Sequence, residues 1–290
     1  MHWRTLDGQA PRVIAHRGAS GLLPEHTFGA YQLALAQGAD IVEPDLVPSA
    51  DGVLFARHDA GLARSTDIAQ RGEFGARRED GDWPCDRLLA EEIDRLGAIQ
   101  PFAGRDPGFD GRWSPPRWSA VLDWAREQAR ARDRRVLLYP EIKHPAEFAG
   151  RGVDPVGCFA DAVLELPPEV EVWVQCFDAQ ALRRVHEATG LRCCLGVDAS
   201  TDWQAAIARD RGWLGGLVAA KTLLAGGELV EAAHAAGLRV DAYTFRDDRV
   251  GEGYDSIESE LAWALASGAD ALFCDFPATA LAVRARLGLT

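Results

Sequence analysis

Residues 40–58 read DIVEPDLVPSADGVLFARH, and this stretch decides how the rest of the chain is interpreted. It contains two apolar runs, 40–46 and 53–58, which are separated only by the segment VPSADG. That connection is too short for the helical crossover that parallel strands need, and its Asp51-Gly52 pair is typical of a tight turn. We therefore predict that the two runs form an antiparallel β-hairpin.

Outside this hairpin, short apolar runs alternate with amphipathic stretches, which indicates strands that alternate with helices. The other predicted strands are 12–16, 135–142, 170–176, 192–197, 216–220, 238–244 and 270–274. The predicted helices are 25–37, 117–132, 156–166, 178–189, 201–210, 226–236 and 257–267. Without the second hairpin strand, eight parallel strands remain, and eight βα units in 290 residues fit the α/β architecture of a TIM barrel. A doubly wound sheet is the alternative, but no glycine-rich phosphate loop follows the first strand.

Residues 60–116 interrupt the alternation, because they contain no clear βα unit and are rich in Gly, Pro, Arg and Asp. A structureless loop of this length is uncommon within a compact domain, so we interpret the segment as an inserted subdomain. It follows an early strand, which predicts a position at the barrel mouth over any active site. We expect one TIM-barrel domain over residues 1–290, with the small insertion at 60–116.

The composition restricts the partners and the location of the protein. The 44 acidic residues exceed the 31 basic ones, and a net charge of −13 disfavours binding to nucleic acid or stable association with membranes. Residues 1–11 lack the basic-then-apolar order of a secretory signal, so we expect a cytoplasmic protein, or a periplasmic one if a signal was removed. The six cysteines show no metal-binding spacing and are expected to be reduced thiols in the core.

Polar side chains close or follow several predicted strands, at the end where TIM-barrel active sites lie. They are His16, Arg17, Glu43, Asp45, His58, Glu141, Lys143, Gln175 and Asp275. Glu43 and Asp45 are two positions apart and share one face of their strand, and the hairpin brings His58 beside them. Taken singly, each of these residues has a structural alternative as a hydrogen-bonded side chain or a buried ion-pair partner. Their predicted convergence on one barrel face favours an active site.

The residue types of this predicted cluster suggest a metal site, an acid–base pair and a phosphate-binding group. Three converging carboxylates, Glu43, Asp45 and Glu141, would repel one another unless a cation were bound, and all-oxygen ligands favour Mg²⁺ or Ca²⁺ over Zn²⁺. His16 and His58 would divide general-base and general-acid work beside that ion. Arg17 and Lys143 would complement a phosphate group.

Lysine usage adds a weaker indication. The chain has only two lysines, Lys143 and Lys221, and both stand at predicted strand ends. In a chain that otherwise uses arginine, a retained lysine suggests that a compact point charge is required. We therefore include Lys221 among the supporting candidates.

These residues stand in an ordered set of short motifs that resembles the glycerophosphodiester phosphodiesterase family. The motifs are His16-Arg17-Gly18, Pro24-Glu25-His26-Thr27, Glu43-x-Asp45, Asp51-Gly52, His58-Asp59, Pro140-Glu141-Ile142-Lys143, Gln175-Cys176-Phe177-Asp178, Tyr243-Thr244-Phe245 and Asp275-Phe276-Pro277. They run from about residue 12 to 280, and YPEIK, QCFDA and the long insertion look most like the bacterial branch typified by periplasmic, calcium-using enzymes.

The resemblance implies hydrolysis of glycerophosphodiesters, small-molecule headgroup diesters, to sn-glycerol 3-phosphate and an alcohol. It implies metal binding by Glu43, Asp45 and Glu141 and acid–base catalysis by His16 and His58, and it favours Ca²⁺. Arg17 and Lys143 would hold the phosphate, and the supporting candidates are Glu25, His26, Gln175, Lys221 and Tyr243. His26 is a departure, because the family usually has Asn there; a third imidazole would either alter the site or replace the hydrogen bond of that Asn.

Two other functions stay as alternatives at this point. One is a phospholipase D-like phosphodiesterase that attacks lysophospholipids, and the other is a phosphate-binding barrel without catalytic activity. The first would need an exposed apolar rim, and the second should have lost a histidine or a carboxylate of the set. We assign His16 as base and His58 as acid. Attack by water and attack by the 2-hydroxyl of the substrate through a cyclic phosphate are both open, as are headgroup preference and oligomeric state.

Overall fold

The computed structural model describes residues 4–288 and shows a closed barrel of parallel strands with helices between them. The strands are β1 (Arg12–His16), β2 (Ile41–Glu43), β3 (Asp45–Pro48), β4 (Leu54–Ala56), β5 (Val136–Leu138), β6 (Glu141–Ile142), β7 (Val170–Cys176), β8 (Arg192–Val197), β9 (Gly216–Ala220), β10 (Arg239–Phe245) and β11 (Ala271–Cys274). β1 pairs with both β2 and β11, and the pairing of β7 with β8 closes the barrel. The predicted TIM barrel is confirmed; residues 1–3 and 289–290 of the predicted domain lie outside the described residues.

The predicted hairpin is also present. β3 and β4 are antiparallel, with Val47 opposite Phe55, whereas the other pairings in the sheet are parallel. β4 therefore lies outside the barrel circuit, and eight parallel positions remain, as the length of the connection indicated.

Two predicted strands, 40–46 and 135–142, are each divided by a proline. Pro44 separates β2 from β3, and Pro140 separates β5 from β6. Proline has no N–H to donate, so the ladder is interrupted at these positions. It resumes at once, because the Glu141 N–H donates to the Pro44 carbonyl at 2.9 Å and Asp45 pairs in register with Glu141. Both interruptions occur at the strand ends that carry the acidic residues.

The helices are α1 (Phe28–Gln37), α2 (Ala90–Ile93), α3 (Trp118–Arg132), α4 (Pro145–Gly150), α5 (Pro155–Ala162), α6 (Ala179–Thr189), α7 (Trp203–Asp210), α8 (Glu228–Ala235), α9 (Ile257–Ala266) and α10 (Pro277–Arg286). Several of these helices begin after a residue whose side chain caps the first turn. Asp178, for example, accepts the N–H groups of Gln180 and Ala181 at the first turn of α6. Neither α4 nor α10 is among the predicted helices; Pro277 occupies the first turn of α10, where no intrahelical N–H bond is required. No helix within residues 4–288 is both long and apolar enough to span a membrane.

Residues 60–116 contain α2 and three short 3₁₀ helices, at Asp67–Gln70, Gly72–Arg77 and Cys85–Arg87. Their buried apolar side chains, including Phe74 and Trp83, form a cluster with Phe55 of β4 and Phe148 of α4. The segment therefore packs on the hairpin rather than forming a loose loop. The division of the chain at residues 60 and 116 stays a prediction.

Candidate active site

Most of the predicted site residues meet in one pocket at the carboxyl end of the barrel, with a volume of about 240 Å³. Its walls include nine of the residues singled out from the sequence, which are His16, Arg17, Glu43, Asp45, His58, Glu141, Lys143, Gln175 and Tyr243. The lining is completed by Phe177, Val218, Thr244, Arg246 and Phe273. Several strands thus contribute to the pocket, as is usual for a TIM barrel.

The turn after β1 places the first pair of polar side chains. Arg17 and Gly18 both have positive φ, at 59° and 83°, so the chain leaves the strand sharply after His16. A Cβ atom at position 18 would lie 2.7 Å from the backbone carbon of Ala30, so glycine is required for the approach of α1 as well as for the φ value. His16 and Arg17 are held at the mouth by this turn.

Glu43, Asp45 and Glu141 form a buried carboxylate cluster. One oxygen of each lies within 4.8 Å of the others, which suits a single cation. Burial, followed by the negative charges of Asp45 and Glu141, raises the pKa of Glu43 well above its ordinary value, and burial also raises that of Glu141. Burial acts in the same direction on Asp45, but the charges of Lys143 and Arg17 bring its pKa well below the ordinary range. Holding three negative charges in this cluster is therefore unfavourable without a counter-charge, and its oxygen donors fit a divalent cation.

Neighbouring groups orient the carboxylates. Glu43 accepts the Arg17 backbone N–H at one oxygen and the Gln175 side-chain amide at the other, both at 3.0 Å. Lys143 Nζ lies 2.7 Å from Glu141 Oε1 and 3.8 Å from Asp45 Oδ1. Gln175 thus contacts the cluster directly and supports a carboxylate that we predicted as a ligand.

His26 is buried behind the cluster and does not line the pocket. Its Nε2 atom lies 3.0 Å from Asp45 Oδ2, and its Nδ1 atom lies 3.2 Å from the Tyr31 hydroxyl. Of the two sequence-based interpretations of this imidazole, the geometry favours a hydrogen bond that orients Asp45. His26 also has a φ of 57°, in the left-handed region that Asn adopts more readily than most residues.

Two imidazole–carboxylate pairs lie in or beside the pocket. Nδ1 of His16 is 2.6 Å from Asp275 Oδ1, and Nδ1 of His58 is 2.6 Å from Asp59 Oδ1. The His16 side chain is 10% exposed and the His58 side chain 32% exposed. Burial, reinforced by the charge of Arg17, lowers the pKa of His16 to about 4 despite the hydrogen bond to Asp275. His16 is therefore a neutral imidazole at neutral pH. Its Nδ1 atom is taken up by Asp275, so Nε2 is the ring nitrogen left to contact a bound molecule.

The two cations expected to hold phosphate are both close to carboxylates. Arg17 Nη1 lies 2.8 Å from Glu25 Oε2, and Arg17 Nε lies 3.2 Å from Asp45 Oδ2. Glu25 is buried, and it stands behind Arg17 without lining the pocket. Lys143 keeps two donor hydrogens beyond the one directed at Glu141.

Lys221 and Tyr243 have different surroundings. Lys221 is not in the pocket wall; its Nζ atom lies 2.5 Å from Glu260 Oε1, in an ion pair beside the Phe245 ring. Tyr243 lines the pocket, packs edge-on against Phe177 and donates its hydroxyl hydrogen to the Val197 carbonyl at 3.3 Å. Lys221 therefore forms its ion pair with Glu260, away from the Glu43, Asp45 and Glu141 cluster and outside the pocket wall.

Comparison with known proteins decides the family. A model of the glycerophosphoryl diester phosphodiesterase family matches residues 16–279, which include both histidines and the three clustered carboxylates. The chain belongs to this family.

Individual relatives agree with the family match. A glycerophosphodiester phosphodiesterase of Haemophilus influenzae is 31% identical over an alignment of 218 residues, and the match covers 66% of this chain and 58% of that protein. One of Arabidopsis thaliana is 35% identical over an alignment of 151 residues, and the match covers 49% of this chain and 39% of that protein. The chain thus spans about two to three fifths of the length of these relatives. A phosphodiesterase of Oleispira antarctica, solved in complex with the product sn-glycerol-3-phosphate, has the same fold, with a TM-score of 0.74 and 22% identity over 96% of this chain and 98% of that one.

Sequence reasoning missed several groups in this family member. Asp275 was seen as a strand-end residue and Asp59 as part of a motif, but nothing in the pattern indicated that each would pair with a histidine. Arg246 was missed because the predicted strand ended at residue 244, whereas β10 continues to Phe245 and places Arg246 in the pocket wall. Arg105 lies in the insertion, where no strand pattern guided the search, yet its Nη2 atom is 2.6 Å from Asp275 Oδ2.

Proposed function

We propose that this protein hydrolyses glycerophosphodiesters, the deacylated headgroups of phospholipids, to sn-glycerol 3-phosphate and an alcohol. The observation that carries the proposal is the meeting of two imidazole–carboxylate pairs with three clustered carboxylates in one pocket. The family match and the product named for the Oleispira antarctica structure support this choice of substrate. The small molecule would be the partner that this pocket binds.

The carboxylates of Glu43, Asp45 and Glu141 would hold one divalent cation, and we favour Ca²⁺ over Mg²⁺ from the resemblance to the calcium-using branch. The ion would supply Lewis-acid polarisation of the phosphoryl oxygens. Gln175 and the Arg17 backbone N–H fix Glu43, and His26 fixes Asp45. Such supporting hydrogen bonds orient ligand oxygens before an ion arrives.

His16 would be the general base. Asp275 accepts its Nδ1–H, which leaves Nε2 unprotonated and able to take the proton of the attacking hydroxyl, whether that belongs to water or to the substrate 2-hydroxyl. In the second case the product of the first step is a cyclic phosphate, which water must then open to give sn-glycerol 3-phosphate. The lowered pKa keeps the ring neutral at neutral pH and so ready to accept this proton.

His58 would be the general acid. It is the more exposed of the two rings, and this exposure supports its assignment to the side from which the alcohol would leave the pocket. Its Nε2–H would protonate the leaving oxygen as the bond from phosphorus to that oxygen breaks, while Asp59 stabilises the ring through Nδ1. Lys143 and Arg17 would offset the negative charge of the phosphoryl group.

The two alternatives fit the pocket less well. Phe177, at 45% exposed, is the large exposed apolar residue of the pocket wall, and the other side chains there are mainly polar or charged. A lysophospholipid would need a broader apolar surface for its acyl chain. A barrel that only binds phosphate would have no use for two histidines that are each oriented by a carboxylate.

The test is hydrolysis of glycerophosphocholine, with glycerol 3-phosphate detected by a coupled enzyme. The protein is stripped with chelator and then refilled with Ca²⁺ or Mg²⁺. We expect activity to return with an ion and to be lost in Glu43→Gln, whereas Glu165→Gln, a change at an exposed glutamate outside the pocket, should retain it. A folded protein that is inactive with both ions would contradict the proposal, and turnover of a lysophospholipid instead would favour the first alternative.

A further inference from the structure

Arg246 stands out among the cations around the pocket. It directly follows β10, lines the pocket, and its side chain is 20% exposed. Its Nε atom is buried and donates no hydrogen bond to any group within residues 4–288. The nearest carboxylate oxygen in an ion pair is Asp275 Oδ2, at 3.1 Å from Nε but poorly aligned for a hydrogen bond.

The neighbouring cations are better compensated. Arg17 donates to Glu25 and Lys143 to Glu141. Arg105 donates to both Asp248 and Asp275. Each of these three cations therefore donates a hydrogen bond to a carboxylate, whereas Arg246 Nε does not.

The carboxylate nearest to Arg246 is already occupied. Asp275 accepts from His16 at one oxygen and from Arg105 at the other, each at 2.6 Å. Arg246 must share that second oxygen with a stronger partner. Burial lowers the pKa of Arg246, and repulsion from Arg17 and Arg105 adds to this effect against the attraction of Asp275. The guanidinium is thus a positive charge in a pocket wall without a dedicated counter-ion.

The position of Arg246 is fixed on two sides. Its Cζ atom lies 5.3 Å from the centre of the Phe102 ring, which the insertion places over it. On the other side it contacts Asp275, the same carboxylate that holds the base His16. Arg246 and His16 thus line the same pocket and contact the two oxygens of one carboxylate.

We infer that Arg246 binds the phosphate of the glycerophosphate moiety, as a substrate-binding residue in addition to Arg17 and Lys143. The inference rests on the proposed function. A guanidinium presents several N–H donors in a planar fork that matches phosphate oxygens, and such charge-assisted bonds are among the strongest in proteins. A bound phosphate would neutralise the positive charge of Arg246, which Asp275 neutralises only in part because it shares the same oxygen with Arg105.

The test is calorimetric titration of the Ca²⁺-loaded full chain with glycerol 3-phosphate, combined with KM and kcat for glycerophosphocholine. Arg246→Gln should weaken glycerol 3-phosphate binding at least about tenfold and raise KM similarly, and Arg246→Lys should fall between it and the unchanged protein. Arg249→Gln, three residues further and exposed, is the matched control and should bind normally. Thermal unfolding should be nearly unchanged in Arg246→Gln, because the buried Nε forms no hydrogen bond.

Equal affinity of Arg246→Gln and the unchanged protein for glycerol 3-phosphate would overturn the inference. So would unchanged glycerol 3-phosphate binding together with a selective KM increase for glycerophosphoserine, because the arginine would then contact the headgroup carboxylate. An unchanged protein that binds no glycerol 3-phosphate would also overturn it. Failure of the proposed function is a separate result: the unchanged protein would bind glycerol 3-phosphate through Arg246 but hydrolyse no diester.

Discussion

Nδ1 of His16 lies 2.6 Å from Oδ1 of Asp275, which is 259 positions away in the chain. The contact joins the end of β1, the first strand, to the residue after β11, the last. These two strands are neighbours in the barrel and pair in register up to Ala15 and Cys274. Closure of the barrel therefore assembles the pair that we propose as base and orienting carboxylate.

Asp275→Asn is expected to lower kcat about a hundredfold. The amide cannot accept the Nδ1–H and also satisfy Arg105, so the imidazole would lose both its orientation and its preferred tautomer. Steady-state kinetics with glycerophosphocholine would measure the loss. His234→Gln is the control, since His234 forms an imidazole–carboxylate pair with Asp270 that is not in the pocket wall. Normal kcat in a folded Asp275→Asn would refute the positioning role.

The roles of the two histidines can be separated with a substrate whose leaving group is p-nitrophenolate. This anion needs no proton to leave. His58→Ala should therefore lower kcat about 10²–10³-fold with glycerophosphocholine but much less with the p-nitrophenyl ester of glycerol phosphate. His16→Ala should lose activity on both, because the nucleophile still requires a base. The opposite pattern would reverse the assignment of base and acid.

Stability without metal should depend on pH through the carboxylate cluster. Glu43 and Glu141 have raised pKa values in the folded protein, so the folded state binds more protons than the unfolded state above about 4.5, the ordinary Glu value. The stability that these two glutamates contribute is then lost as pH rises through their pKa values in the folded protein. Asp45 has the opposite effect, because its pKa is lowered in the folded protein. The stability that it contributes is present above 3.8, its ordinary pKa, and is lost as pH falls from 3.8 through its lower pKa in the folded protein.

We therefore expect the Tm increase caused by Ca²⁺ to be larger at pH 8 than at pH 5, measured by calorimetry after chelation. Glu43→Gln removes one of the repelling charges, so at pH 8 it should raise the Tm of the metal-free protein by about 2–4 °C, which corresponds to ~1 kcal/mol. The variant should also abolish the response to Ca²⁺. A Ca²⁺ effect that is independent of pH would argue against proton-linked repulsion in this cluster.

His26→Ala should weaken Ca²⁺ binding about 10–100-fold, because Asp45 would lose the hydrogen bond that orients it. His26→Asn should retain the backbone conformation, since Asn tolerates the left-handed φ of this position, and its stability should exceed that of the alanine variant. Calorimetric titration with Ca²⁺ and thermal unfolding measure the two effects. Ca²⁺ affinity unchanged in His26→Ala would leave the imidazole with only a packing role.

Arg105 connects the insertion to Asp275, the carboxylate that pairs with His16. Its guanidinium donates to Asp248, to Asp275 and to the Ser20 carbonyl. Arg105→Ala should reduce the free energy of unfolding by on the order of 2 kcal/mol and lower kcat, because Asp275 loses a buried partner. Arg87→Ala, at an exposed arginine of the same insertion, should change neither quantity appreciably. A kcat unaffected by loss of Arg105 would show that the insertion does not support His16.

Much of the fold was accessible from local pattern. The short connection at 47–52 identified the hairpin, and the alternation of apolar runs with amphipathic stretches gave the eight parallel positions. The breaks at Pro44 and Pro140 were not predicted, because strand periodicity does not report a single missing N–H donor. The helices α4 and α10 were not predicted either. The insertion was recognised only as an interruption, since its short 3₁₀ helices have no periodic signature.

The sequence by itself determined the barrel and the polar residues at its strand ends, because side-chain alternation and connection length are local properties. Only the tertiary structure decided which partners these residues have. It paired His16 with Asp275, directed His26 to Asp45, paired Lys221 with Glu260 and brought Arg246 into the wall. These outcomes depend on strand neighbours and loop paths distant in the chain. Hydrogen bonds between such residues require atomic positions that only closure of the barrel supplies.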